Sequence, residues 1–263
     1  MTPLTLTASE IYRTLKGWPG MGDHIGALGF HAKRYERLVS LVGSLVYEIK
    51  DRSNPVTILD VGPWWQTELF RKLADVHVDT MGLLEKPPHI DKPRNGELYF
   101  QQDLNRSAFE DYRTDIPQHD IVVMAEVIEH LTTAPTHVLR KIKKVLRPGG
   151  YLVLSTPNAV ALDKRIKMLK GQHPYHLISE DPRNPNHFRE YTLSELLEFA
   201  SSCGFSCIRY GITNDYNWRD NQCLDKREGM SNIRRQAAGR LRELVDFASP
   251  KAWKQSILMV LTY

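Results

Sequence analysis

Two carboxylates and an imidazole crowd into the short stretch AEVIEH, as Glu126, Glu129 and His130. Carboxylate oxygens are hard ligands and proton acceptors, and imidazole is the side chain whose ordinary titration lies nearest neutrality. If 126–131 begins a helical turn, Glu126 and His130 stand at i and i+4 with Glu129 beside them, and all three can face one divalent cation. The carboxylates favour a hard ion, magnesium foremost, while the imidazole tolerates zinc or manganese. Without a metal, His130 could itself take a proton as a general base, with Glu129 as its neighbour in the catalytic pair. A plainer role also fits these residue types, with the first glutamate capping a turn and the histidine packing beneath a ligand.

The elements around this stretch place it at the end of a strand. Residues 121–124 are apolar without alternation, as expected of a strand buried on both faces of a parallel sheet, and the run stops abruptly at the acids. In open α/β sheets the ligand crevice lies outside the carboxyl ends of the strands, where such side chains emerge. An amphipathic helix, a turn at Arg147-Pro148-Gly149-Gly150 and a second strand to Asn158 follow without interruption. Upstream, apolar residues at helical spacing predict a helix within 22–50, broken by Asn54-Pro55. Strands are expected over 56–61, ending in Gly62 and Pro63, over 76–84, ending at Glu85, and over 98–101, leading into Asp103, with a helix over 67–74. Downstream come a short basic helix at 159–170 and a proline- and histidine-rich loop at 171–187, long enough to read as a lid. Helix 192–203, strand 205–213, helix 233–247 and strand 256–263 close the chain. This alternation supports a doubly wound, Rossmann-like α/β sheet.

Composition narrows the class. A chain of 263 residues with 41% hydrophobic content can bury the core of one large α/β domain with additions. Thirty-five basic against 31 acidic residues leave a formal charge of +4, which neither requires nor excludes a nucleic-acid partner. No apolar run approaches the ~20 residues that cross a bilayer, and the N-terminus lacks a secretory pattern, so a soluble, cytoplasmic protein without a membrane partner is expected. Cys203, Cys207 and Cys223 have no metal-site spacing and read as free thiols.

Six segments together resemble successive landmarks of one family: ILDVG at 58–62, Glu85, QQDL at 101–104, HDIVVMAEVIEHL at 119–131, VLRPGGYLVLSTPN at 145–158 and HFREYTLSELLEFASSCGF at 187–205. In this order they resemble class I S-adenosylmethionine-dependent methyltransferases, nearest the branch that includes the ubiquinone-biosynthesis O-methyltransferases, over roughly residues 55–213. The resemblance implies a seven-stranded sheet, six strands parallel and one antiparallel, in a methyltransferase domain at 55–263. An N-terminal helical cap would occupy 1–54, and the lid insertion about 159–187. S-adenosylmethionine would lie against Gly62, where the backbone must approach closely, with Glu85 on the ribose hydroxyls and Asp103 on the adenine amino group. Leu104 would pack on the ring, Asp60 would orient the methionine end, and Ala125 would complete the wall. Arg34 and Tyr35 could reach the cofactor carboxylate or the acceptor. The family's first loop carries glycines at alternate positions, whereas Trp64 and Gln66 stand here at the second and third, so these side chains must turn away or narrow the cleft. Metal-dependent relatives carry an ExxEH motif, which maps onto Glu126, Glu129 and His130, with His187 as a looser fourth ligand.

The implied activity is methylation of a small-molecule hydroxyl, with N-methylation not excluded and the oligomeric state open. RNA 2'-O-methylation is an alternative, supported by the same motif and by Lys164, Arg165, Lys167, Lys170, Arg234, Arg235, Arg240 and Arg242, though no RNA-binding module accompanies them. A non-catalytic subunit with this fold is the third possibility, since the altered glycine loop would then no longer bind cofactor.

Overall fold

In a computed structural model, the described residues are 6–17, 25–51, 53, 55–84, 93–94, 96–109, 115–181, 186–216 and 232–263. Glu85 and Cys223 lie outside them.

Helices α1 (Ala8–Lys16) and α2 (Ile25–Ile49) precede β1 (Val56–Val61), α3 (Trp65–Phe70), β2 (Val76–Gly82), β3 (Tyr99–Gln101) and β4 (His119–Ala125). There follow α4 (Pro135–Val145), β5 (Leu146–Pro157), α5 (Leu162–Leu169), α6 (Leu193–Ser202), β6 (Ser206–Thr213), α7 (Asn232–Ala248) and β7 (Ser256–Thr262). The seven strands form one sheet in the order β3-β2-β1-β4-β5-β7-β6. Strand β7 runs antiparallel to both β5 and β6, so the other six share one direction, as the resemblance implied.

Successive strand side chains point to opposite faces, and this alternation divides the core in two. Ile58, Ile121, Val123, Val153 and Val260 pack with α1, α2 and α3, including Leu38, Val42, Leu45, Trp65 and Leu69. Their neighbours Leu59, Val122, Met124, Leu152, Leu154 and Met259 pack with α4 and α6 through Val138, Leu139, Ile142, Leu196 and Ala200. Helices on both faces explain why the central strands carry continuous apolar runs. Among the described residues, no helix is long and apolar enough to cross a membrane.

Several expected boundaries shift. Strand β2 ends at Gly82 rather than Leu84, and α3 starts two residues early and stops at Phe70, because Gln66 and Thr67 bond back to the end of β1. Helix α1, absent from the periodicity reading, is fixed by a capping box in which Thr7 and Glu10 satisfy each other's backbone N–H. The loop expected at 171–187 is irregular where described, and His173 and His176 are exposed.

Candidate active site

The strand order reverses between β1 and β4, whose carboxyl ends lie side by side, and the open crevice of such a sheet is expected there. Two clefts occupy it. One, of about 510 Å³, is lined by Val61, Met81, Gln102, Asp103, Leu104, Asn105, Val127, Leu131, Thr132 and Phe188. The other, of about 410 Å³, is lined by Arg34, Tyr35, Pro63, Trp64, Gln66, Leu84, Tyr99 and Ala125. Gly62, Gly82, Leu83, Glu126 and His130 border both.

Gly62 holds the partition through two constraints. Its φ is +72°, and a Cβ there would come within 2.6 Å of Val127 Cγ2. Only glycine meets both without strain, so the turns after β1 and β4 can approach each other. The two residues that replace the family's later glycines are accommodated differently. Gln66 donates from Nε2 to the Gly62 carbonyl at 3.2 Å and to Asp60 Oδ1 at 3.4 Å. Trp64 precedes α3 half-exposed, its ring 5.6 Å from that of buried Trp65, and walls the second cleft.

Asp60 is fully buried and also accepts from Thr67 Oγ1 at 2.6 Å. Burial pushes its carboxyl up to about 7, against the opposing pull of the Thr67 and Gln66 bonds. Asp103 accepts from the Asn105 N–H at 2.9 Å and so caps a 3-10 turn (Leu104–Ala108), while still lining the first cleft with buried Leu104. Ala125 lines the second cleft.

The acidic stretch departs from the expected helical turn. Glu126 has φ +57° and precedes a 3-10 turn confined to Ile128–His130, so the i, i+4 geometry with His130 is not formed. Its carboxylate instead accepts from Arg34 Nη1 at 3.0 Å and from Ser155 Oγ at 2.9 Å. The cation foreseen near the cofactor or acceptor thus pairs with the first glutamate, carrying α2 into the site.

Glu129, His130 and His187 do converge, with one possible ligand atom from each lying within 4.8 Å of the others. Glu126 is not in this group. Convergence depends on the backbone, since the Glu129 carbonyl accepts from Phe188 N at 2.9 Å and Arg189 N at 3.3 Å, clipping the chain beside His187 onto the 3-10 turn. The His130 and His187 rings meet edge to face at 4.9 Å. His130 Nδ1 lies 2.9 Å from the Asn186 carbonyl, which can only accept, so Nδ1 carries the hydrogen and a neutral ring keeps its lone pair on Nε2. His187 Nδ1 lies 2.9 Å from Glu190 Oε1, and Glu190 is itself paired with Lys164. Burial first, then His130 and Lys164, push His187 down to about 4.

Glu129 is buried, with Thr156 Oγ1 donating to Oε2 at 2.9 Å and, among the described residues, no donor to Oε1. Burial and the nearby Glu126 charge raise its pKa well above the ordinary carboxylate range. An orphaned carboxylate oxygen beside two oriented imidazoles fits a divalent cation, and the nitrogens move the preference from magnesium towards manganese or zinc.

Sequence reasoning missed Glu190, Thr156 and Ser155, and it read Lys164 only as one of the basic residues of the RNA alternative. The spacing of His187 and Glu190 in HFRE offered a signal for one of them. Nothing local marks Lys164, which α5 buries against Glu190 and the Asn158 carbonyl, 2.8 Å away.

Comparison with known proteins bears on the whole arrangement. Residues 31–209 match a family described as a methyltransferase domain. A Mycolicibacterium smegmatis protein named as an S-adenosylmethionine-dependent methyltransferase is 38% identical over 86 residues, 33% of this chain and 28% of that relative. The chain thus matches less than a third of that relative's length. Among solved structures, a SAM-dependent methyltransferase from Archaeoglobus fulgidus superposes with a TM-score of 0.50 at 14% identity, covering 86% of this chain and 94% of that one. The cyclase SpnF superposes with a TM-score of 0.53 at 15% identity, covering 88% and 80%. At such identities the structural likeness shows the fold alone.

Proposed function

The chain belongs to the methyltransferase-domain family and has its class I sheet, and from this premise we propose that it transfers a methyl group from S-adenosylmethionine to a small-molecule hydroxyl. The observation that carries the reading is the paired arrangement at the β1/β4 crevice. A close-approach glycine turn with a buried aspartate stands on one side, and a carboxylate–imidazole trio stands on the other, with Glu126 and His130 bordering both clefts.

When bound, S-adenosylmethionine supplies a sulfonium methyl that is already electrophilic, so the protein's work is alignment, exclusion of water and removal of the acceptor's proton. Gly62 would meet the methionine end, with Asp60, which lines neither cleft, bracing the turn beneath it through Thr67 and Gln66, and Asp103 and Leu104 would hold the adenine. Glu85, which lies outside the described residues, is the residue proposed for the ribose. The acceptor would approach from the side of His130. With Nδ1 bonded to the Asn186 carbonyl, Nε2 can take the hydroxyl proton, and that carbonyl steadies the cation that results. Glu129, His130 and His187 would also hold a divalent cation, which supplies a lowered hydroxyl pKa and a fixed direction. The two roles use the same lone pair and exclude each other.

His130→Ala tests the reading. Methyl transfer from labelled S-adenosylmethionine to small acceptors should fall at least a hundredfold, while calorimetric affinity for S-adenosylhomocysteine stays within about threefold. Parallel loss of both would make His130 structural, and no heat with the unaltered protein would remove the reading. Chelation followed by manganese or zinc separates the metal from the bare base.

A further inference from the structure

Helix α7 is amphipathic in the wrong direction for a core element. Leu241, Leu244 and Val245, at i, i+3 and i+4, form one apolar side, yet they are 64%, 66% and 42% exposed, and Phe247 beyond them is 81% exposed. Buried Gly239 and the half-buried Arg242 and Glu243 turn to the domain instead. A surface helix normally buries its apolar stripe, so an outward stripe calls for something that meets it from outside. Helix α5 lies alongside, with Arg242 3.7 Å from Asp163 and the Arg165 guanidinium over the Trp253 ring just after α7. It also exposes Met168 and Leu169, the latter at 88%.

Cations border these apolar residues. Arg165 and Lys167 lie half-buried on α5, Lys170 follows it exposed, and Arg240 lies exposed on α7. Basic side chains beside exposed aliphatic ones suit an interface that is anionic at its surface and apolar just beneath. Nucleic acid would use the charges but gain little from Leu, Val and Met, which cannot stack on bases. A second copy pairing through the same patch would bring like-charged borders together.

We infer that the α5–α7 face docks onto an anionic lipid surface as a peripheral contact. The inference does not depend on the methyl-transfer reading, since none of these residues serves the crevice.

The test is flotation of the full chain with vesicles of equal parts phosphatidylglycerol and phosphatidylcholine, against vesicles of phosphatidylcholine alone. The unaltered protein should float with the anionic vesicles at low salt and be released as salt rises. Phe247→Ser should weaken partitioning about tenfold or more, since an exposed aromatic ring that the lipid would cover is lost, and Arg240→Ala about fivefold. Both positions are exposed, so unchanged thermal unfolding should accompany the loss. Equal partitioning onto neutral vesicles, or indifference to both substitutions, overturns the inference. So does retention on RNA without flotation, or a sedimenting dimer that Phe247→Ser dissociates while no flotation is seen.

Discussion

Replacing Asp60 with asparagine should make the protein more stable, and increasingly so as pH rises. Asp60 is fully buried, and its folded pKa lies at about 7 against an ordinary value of 3.8. Below 3.8 both folded and unfolded chains hold the proton and the residue is neutral in the balance. Between 3.8 and about 7 the folded chain keeps a proton that the unfolded chain releases, so stability falls as pH rises, and above 7 the loss is complete. At 1.36 kcal/mol per tenfold in proton activity, the full interval amounts to about 4 kcal/mol, of which roughly 2 to 3 kcal/mol develops between pH 5 and pH 8. Asparagine has nearly the same shape and no charge. Its oxygen can still accept from Gln66, and its amide can donate to the Thr67 hydroxyl, which rotates to receive it. Urea unfolding of both proteins at the two pH values isolates the effect, because other titrating groups cancel in the difference while the m-values stay equal. The stability gain of Asp60→Asn should grow by roughly 2 to 3 kcal/mol from pH 5 to pH 8. A gain independent of pH would refute a raised Asp60 pKa, and a loss at both values would show that the carboxylate is worth more to its two donors than burial costs it. The same variant should hold S-adenosylhomocysteine within about threefold, since Asp60 lines neither cleft, and a loss of about tenfold or more would make it a cofactor ligand instead.

Other expectations follow from the same geometry. Gly62→Ala should cost about 1 to 3 kcal/mol of stability and most cofactor affinity in calorimetry, since the residue sits at positive φ against Val127. Adding Val127→Ala should recover only the steric part. Glu190→Gln, and separately Lys164→Met, should weaken manganese or zinc binding about 10- to 100-fold while S-adenosylhomocysteine affinity holds, because both orient His187 rather than touch the cofactor. Arg34→Met should destabilise by about 3 kcal/mol through an unpaired, mostly buried Glu126, and Glu126→Gln in the same chain should return most of it, as urea midpoints would show.

The sheet was legible because its determinants are local. Residues 56–61 and 121–124 have no polar alternation, and that pattern already states that both faces are covered. The helices that cover them were legible from apolar spacing wherever the stripe was long, as in α2. Helix α1 escaped because nine residues carry too few apolar positions to set a period, although Thr7 and Glu10 announced its start. The inward helices and the outward face of α7 carry the same spacing. Periodicity shows that a stripe exists but not which way it faces, a matter settled by what the rest of the chain leaves uncovered.

At the site, what was legible and what was not divide at Glu126. Residue types at a strand end singled out Glu129 and His130, and the order of elements brought His187 to them. The error lay in assuming one continuous turn from 126. A strand leaving the sheet must redirect its chain, and here the redirection is made by a non-glycine residue in the left-handed region, which costs of order 1 to 3 kcal/mol and needs compensation. Its side chain is held by Arg34 and Ser155, and its N–H donates to the Ser155 carbonyl at 2.9 Å, with partners 92 and 29 residues away along the chain. No local window contains those partners, so no spacing rule could have assigned the role. The outcome is a division of labour between two glutamates three residues apart. Glu126 is paired with the Arg34 guanidinium, while Glu129, raised by burial and by the neighbouring Glu126 and with one oxygen unanswered among the described residues, is the one left needing a proton or a metal ion. Arg34 therefore does more than anchor a helix. Its charge also acts on Glu129 directly, holding down a carboxyl that burial and Glu126 push up, so its loss should raise the Glu129 pKa further.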